Sequence, residues 1–153
     1  MHPGEPPGSF LCEGILRSIL NPQNEKTVEK LLTVAEIHVV PMLNPDGVII
    51  GNSRVNLAGV DMNRRWGVSV MEPNVTPEVY MLKEFMSRYK NQILMYLDLH
   101  GHTKGEGIFF YACQPPLPKP NKDTSFGMSA IEKVVLIKAL PTIVGKTSPF
   151  FNL

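Results

Sequence analysis

Cysteine is scarce: the 153 residues hold two, Cys12 and Cys113. Two thiols far apart in the chain cannot build the bridge-dense framework of a small secreted domain. Both lie in apolar runs, so buried free thiols in a reducing compartment are expected. Charge of one sign is missing as well. Lys and Arg total 15 against 14 Asp and Glu, a net charge of +1, which excludes a general attraction to nucleic acid or to an anionic membrane. No apolar run approaches the ~18 residues of a membrane-spanning helix. The first residues lack the basic-then-apolar order of a secretory signal. A soluble, cytoplasmic protein with no membrane or nucleic-acid partner is expected. No internal repeat is present, and the length suits one domain with a real core.

What is there alternates between two periodicities. The stretch SFLCEGILRSILN carries Phe10, Leu11, Ile15, Leu16, Ile19 and Leu20 at approximate helical spacing, with Ser9 as its cap and Asn21-Pro22 as its stop. A short amphipathic segment, EKTVEKLLTVAE, precedes IHVVPML, which reads as a strand covered on both faces. NPDG reads as a turn leading into a short strand, VII. Thr76 to Lys90 predicts a helix, from a cap residue, a proline, an acid and then Val79, Leu82, Phe85, Met86 and Tyr89. QILMYLDLHGH and GIFFYAC read as two further strands, the first of them buried. A Pro-rich loop over about 114–127 and a helical tail over about 128–145, ending at Pro141, complete the chain. Strands alternating with helices indicate an α/β fold: a mixed, mostly parallel sheet with helices on both faces.

The opening residues raise the first chemical question. His2-Pro3-Gly4-Glu5 has the Pro-Gly centre of a type II turn, whose outer Cα atoms approach within about 7 Å. Both side chains can then reach one ion, since zinc bonds to imidazole and carboxylate are roughly 2.0 to 2.2 Å. On the tetrapeptide alone, two solvated polar residues explain it as well, and a chelate needs a third donor. His100 is the candidate. It ends a predicted strand beside Gly101, where open α/β sheets bind ligands. His102 reads as a rim or substrate-facing group and His38 as a packed or edge one. Two His and one Glu leave a zinc position open for water, the mark of a catalytic site. Non-haem iron uses a similar set on other scaffolds.

GNSRVNLAGVDMNRRWG concentrates Arg54, Arg64 and Arg65 around Asp61 and Trp66. Taken alone, it reads as a solvated basic loop. Together with HPGE before it, NPDG ahead of it and DLHGH after it, from His2 to about Cys113, the sequence resembles the zinc metallocarboxypeptidase family, and within it the cytosolic carboxypeptidase branch.

The resemblance implies roles position by position. His2, Glu5 and His100 match the zinc ligands, a set already established for a carboxypeptidase. Asp61 matches the acid that orients the first histidine. Arg54 matches the arginine that polarises the scissile carbonyl. Asn63 and Arg64 match the pair that grips the substrate's terminal carboxylate, for which guanidinium supplies a planar fork. NPDG is architecture, Trp66 is packing, and Glu78 and Asp98 have local explanations as a helix N-terminal charge and a strand-end polar group. The implied function is zinc-dependent removal of C-terminal residues, glutamate above all, from peptide or protein tails, tubulin among them. The resemblance also implies that the 153 residues are part of the catalytic domain, truncated at both ends, with the general base beyond Leu153. A non-catalytic module that holds acidic C-terminal tails, or a fragment without function, are the alternatives.

Overall fold

The structure, a computed structural model, describes residues 1–67, 73–89, 92–112 and 130–151, with no side chains at 130–134. Cys113 and the Pro-rich loop lie outside the described residues. Two compact units follow one another, Met1–Gly101 and His102–Leu153.

Among its described residues the first unit holds four helices: α1 (Pro6–Ile19), α2 (Glu25–Leu32), α3 (Pro45–Ile50) and α4 (Pro77–Tyr89). Single 3-10 turns stand at Pro22–Asn24 and Met62–Arg64. Helix α1 starts earlier than its sequence suggests. Pro6 and Pro7 take the first two positions, where a missing N–H costs nothing, and Ser9 falls inside the helix. Its end before Asn21-Pro22 and the bounds of α4 match the sequence reading to within a residue.

The NPDG segment differs in shape. Asn44 caps a helix, its Oδ1 accepting from Gly47 N at 3.0 Å, and Val48, Ile49 and Ile50 are helical, not a strand. The cap outweighs the β-branched run because Pro45 at the first position and Gly51 in the left-handed conformation (φ 87°) fit both ends of a short helix. The architectural role stands. Asn44 is fully buried and also donates to Val55 O, at 3.3 Å.

The opening turn also differs from its reading. Glu5 N donates to His2 O at 3.3 Å, so the turn closes, yet Gly4 does not take the positive φ of a type II turn. Glycine is required there by proximity. Gly4 N donates to Ser53 O at 2.9 Å, and an added Cβ would stand 2.7 Å from that oxygen. Pro3 in turn lies against Gly47, so α3 and the loop after it carry the turn from below.

Among the described residues, the expected strands form no ladder. Residues 35–40 and 93–100 are without regular secondary structure. They are also not covered: Val40 is 51% exposed and Leu94 77%, whereas both were expected to be buried. Burial centres instead on Met62 and Val79, with the polar residues Asn44, Asn56, Thr76 and His2. Asn56 organises its own loop. Its Oδ1 accepts from Ala58 N and Val60 N, both at 3.1 Å, and its Nδ2 donates to Val75 O at 2.8 Å. His38 is exposed, with 43% of its side chain open, while its ring lies 5.1 Å from Phe85 and 4.9 Å from Tyr89.

Among its described residues the second unit holds α5 (Ala130–Thr147) and one parallel bridge, Ile108 to Phe151. The helix passes through Pro141, where the sequence predicted its end. Proline removes one bond of the helical ladder and crowds the preceding turn. Bonding resumes beyond it, with Thr147 Oγ1 donating to Ile143 O at 2.9 Å and Ser148 N to Val144 O at 2.8 Å. His102 belongs to this unit. Its Nδ1 accepts from Gly105 N at 2.8 Å and its ring meets Phe109 edge-on, a structural role.

Candidate metal centre

Glu5 is the residue on which two distant segments converge. It precedes α1 in the capping position, but its carboxylate makes no capping bond to the helix. Its Oε1 lies 2.7 Å from His2 Nδ1 and its Oε2 lies 2.9 Å from His100 Nδ1. Gly101 N also donates to Oε2, at 2.9 Å. The segment around residue 100 can come this close because glycines remove obstacles. A Cβ at Gly8 would lie 2.6 Å from Leu99 O, and one at Gly101 would meet Pro7 at 3.2 Å.

The far side of each imidazole is also occupied. His2 Nε2 lies 3.1 Å from Asp61 Oδ1, and His100 Nε2 lies 2.9 Å from Asp98 Oδ2. A carboxylate only accepts, and each ring meets one at both nitrogens: either both nitrogens carry a proton, or the proton stays on Nε2 toward the aspartate and Nδ1 offers a lone pair. In the latter case the two lone pairs face Glu5 oxygens, which are also acceptors. At 2.7 and 2.9 Å that arrangement requires a positive centre between them, a proton or a cation.

His2, Glu5 and His100 each offer one donor atom, all within 4.8 Å of one another, and the two rings stand 4.8 Å apart at 57°. The spread is somewhat wider than a tetrahedral ion spans with bonds of roughly 2.0 to 2.2 Å, so the imidazoles must close on it by side-chain rotation. Two neutral imidazoles and one carboxylate, each ring backed by a second carboxylate, fit zinc in type, in number and in outer hydrogen bonding.

The charges follow this geometry. Burial pushes the Glu5 carboxyl up, but bonds from His100, Gly101 N and His2 outweigh it and hold the group below its ordinary value. Burial likewise raises Asp61, and its bonds with Arg54, His2 and Asn63 N bring it below. The hydrogen bond with Asp98 raises His100; burial opposes the shift, and Glu5 adds to it.

Residues 1–138 match the family described as zinc carboxypeptidase. The chain belongs to the zinc carboxypeptidase family. It is 43% identical over 115 residues to cytosolic carboxypeptidase 3 of Bos taurus, which covers 74% of this chain and 11% of the relative. It is 33% identical over 155 residues to cytosolic carboxypeptidase 1 of Mus musculus, covering 99% and 12%, and 39% identical over 115 residues to cytosolic carboxypeptidase 2 of Homo sapiens, covering 74% and 12%. The chain thus spans about an eighth of the length of these relatives. No solved structure matches it. Among the described residues no helix is long and apolar enough to cross a membrane.

The positions that match the zinc carboxypeptidase motifs fall into two groups. His2, Glu5 and His100 share one centre, and Asp61 adjoins it through His2. Arg54 also adjoins it, with Nε donating to Asp61 Oδ2 at 2.6 Å and Nη1 standing 3.7 Å from Glu5 Oε1. Asn63 reaches the same place from the 3-10 turn, where Asp61 Oδ1 accepts from Asn63 N at 3.0 Å and Asn63 Nδ2 lies 3.3 Å from His100 Nε2. Arg64 points elsewhere: it is exposed, with Nη1 3.5 Å from Asn63 O.

Asp98 is the residue that the sequence reading passed over. Its signal was present in DLH, because residues i and i+2 of an extended segment point to one side. Asn56 gave no such signal, since its partners are backbone groups up to 19 residues away.

Proposed function

We propose that this chain carries the metal centre and the carboxylate-binding arm of a zinc-dependent peptidase that removes C-terminal residues from peptide and protein tails. The observation that supports this most directly is the pair of imidazole Nδ1 atoms converging on one carboxylate from residues 2, 5 and 100. Zinc, when bound there by His2, Glu5 and His100, would polarise a peptide carbonyl and acidify a water.

The chain's own groups do the rest. Asp61 and Asp98 hold the Nε2 protons and thereby aim both imidazoles. To Arg54 we assign the carbonyl oxygen of the scissile bond: Asp61 fixes its Nε, and the remaining guanidinium donors border the Glu5 side of the centre. To Asn63 and the exposed Arg64 we assign the terminal carboxylate of the substrate, which a planar guanidinium can accept through two parallel bonds. The finer reading is removal of glutamate from acidic tails in the cytoplasm, tubulin among them. Its cytoplasmic part leans on relatives that are named cytosolic carboxypeptidases, and its choice of glutamate and tubulin on the resemblance of the motifs alone.

In the whole protein we place residues 37–43 and 92–102 in a mixed, mostly parallel sheet. The exposure of Val40 and Leu94 supports this, because strands in an α/β layer are covered on both faces.

The test is incubation of the zinc-loaded chain with a polyglutamate peptide, scored by release of free glutamate. Release with the free acid but not with the C-terminal amide supports the peptidase. Tight binding without release supports a module that only holds acidic tails.

A further inference from the structure

Trp66, the chain's single tryptophan, closes the segment that carries Asp61, Asn63 and Arg64. Its indole Nε1 donates to Asn63 Oδ1 at 2.7 Å. An indole N–H can only donate, so the amide atom facing it must be the carbonyl oxygen; the reversed amide would set two donors head to head. Asn63 Nδ2 therefore turns the other way, toward the metal centre, where it lies 3.3 Å from His100 Nε2, whose proton is directed to Asp98; reversing the amide would give up the 2.7 Å indole bond for that longer contact. The indole is itself held in place. Trp66 O accepts from Lys83 Nζ of α4 at 3.2 Å, and Tyr96 meets the ring edge-on at 5.8 Å and 71°.

We propose that Trp66 is a positioning residue, fixing the amide of Asn63 with its N–H2 toward the centre so that the site prefers a C-terminal carboxylate over the neutral C-terminal amide. The proposal rests on the reading above that Asn63 meets the substrate terminus. Asparagine by itself supplies no such preference, because its amide has nearly the same shape in either orientation. Reversed, it would present a carbonyl oxygen, and an incoming carboxylate would then meet another acceptor. With Oδ1 engaged by the indole, only donors remain on offer, and donors suit a carboxylate oxygen.

Because only one tryptophan is present, global replacement of tryptophan by β-(3-benzothienyl)alanine alters position 66 alone. It exchanges the N–H for sulfur in a ring of nearly the same shape. The zinc-loaded chain, its analogue form and Trp66→Phe are compared for binding of one glutamate-ending peptide as free acid and as amide, with bound zinc measured in each. The expected result is a preference for the acid in the wild type. It should fall about tenfold in both altered forms, the loss of one hydrogen bond to a charged group, with zinc content unchanged.

An unchanged preference overturns the proposal. Equal weakening of both peptides also overturns it, because the indole would then be supporting only the fold. A wild type that binds acid and amide equally removes the carboxylate reading itself, and the proposal with it, so the two failures are distinguishable. If Trp66→Phe does not fold, the sulfur analogue decides. The contact has its own readout in the single indole N–H resonance, which must move in Asn63→Ala; a stationary resonance overturns the proposal too.

Discussion

Asp98 Oδ2 lies 2.9 Å from His100 Nε2, across a single intervening residue. That contact gives His100 the same outer support that Asp61 gives His2, so both imidazoles are aimed by carboxylates. Partners of this kind tune metal affinity by about 10- to 100-fold. Replacing Asp98 with Ala should therefore weaken zinc binding by about that factor while leaving the stoichiometry at one ion. Competition with a chromophoric chelator measures it, and an affinity equal to wild type would show the contact to be idle.

His100→Ala and Arg64→Ala should separate the two halves of the site. The first removes a donor and should leave no tightly bound zinc by elemental analysis. The second alters an exposed guanidinium outside the donor cluster. It should leave zinc untouched and weaken binding of a free-acid peptide by roughly tenfold or more, as expected for loss of a charged hydrogen bond. Full zinc retention in His100→Ala would remove that residue from the ligand set.

Asn56→Ala tests the loop that delivers Asp61. Truncation leaves Ala58 N, Val60 N and Val75 O without their side-chain partner in a place where the residue is 2% exposed. Unsatisfied buried groups cost about 1 to 3 kcal/mol each, some of it recovered by water, so a loss of roughly 2 to 4 kcal/mol is expected from the urea midpoint. A loss below about 0.5 kcal/mol would mean that the loop does not depend on this side chain.

Tyr96 should titrate late. Partial burial, on a residue still 46% exposed, and the negative charge of Asp98 push its hydroxyl from 10.0 up to about 12. The folded chain then holds this proton where the unfolded chain has lost it, so stability is complete below pH 10 and declines as pH rises from 10 toward 12. Absorbance at 295 nm should show one tyrosine ionising after the others, and Tyr96→Phe should abolish that late step. Four tyrosines titrating together would contradict it.

The convergence of His2, Glu5 and His100 was legible because these residues stand in short motifs. HPGE places two possible donors side by side and DLHGH ends on a third, whereas Asp98, two residues before His100, was read only as a strand-end polar group. The ends of α1 and α4 were legible for the same local reason, through proline, capping residues and period. Where the reading missed, a specific contact that the residue pattern does not state had decided the outcome. Gly4 is needed because Ser53 O approaches it, not for turn conformation. The run at Val48 to Ile50 became helical because Asn44 and Gly51 bound it on either side, overriding the preference of β-branched residues. The amide orientation of Asn63 depends on an indole three residues away, and nothing in the letters NRRW states which atom faces which.

Pro6 and Pro7 have one more effect. A residue standing before a helix ordinarily turns its side-chain oxygen onto the N–H at the second or third helical position. At α1 the donor of the second position has been deleted by Pro7, that of the third, Gly8 N, goes to the Glu5 backbone oxygen at 3.2 Å, and the Glu5 carboxylate is turned instead to the two histidines. Closing a helix and holding an ion are rival uses of the same two oxygens, and a ring that merely lacks a hydrogen tips the contest. Restoring that hydrogen with Pro7→Ala, far from the imidazoles in chemical character, would give the carboxylate somewhere else to go.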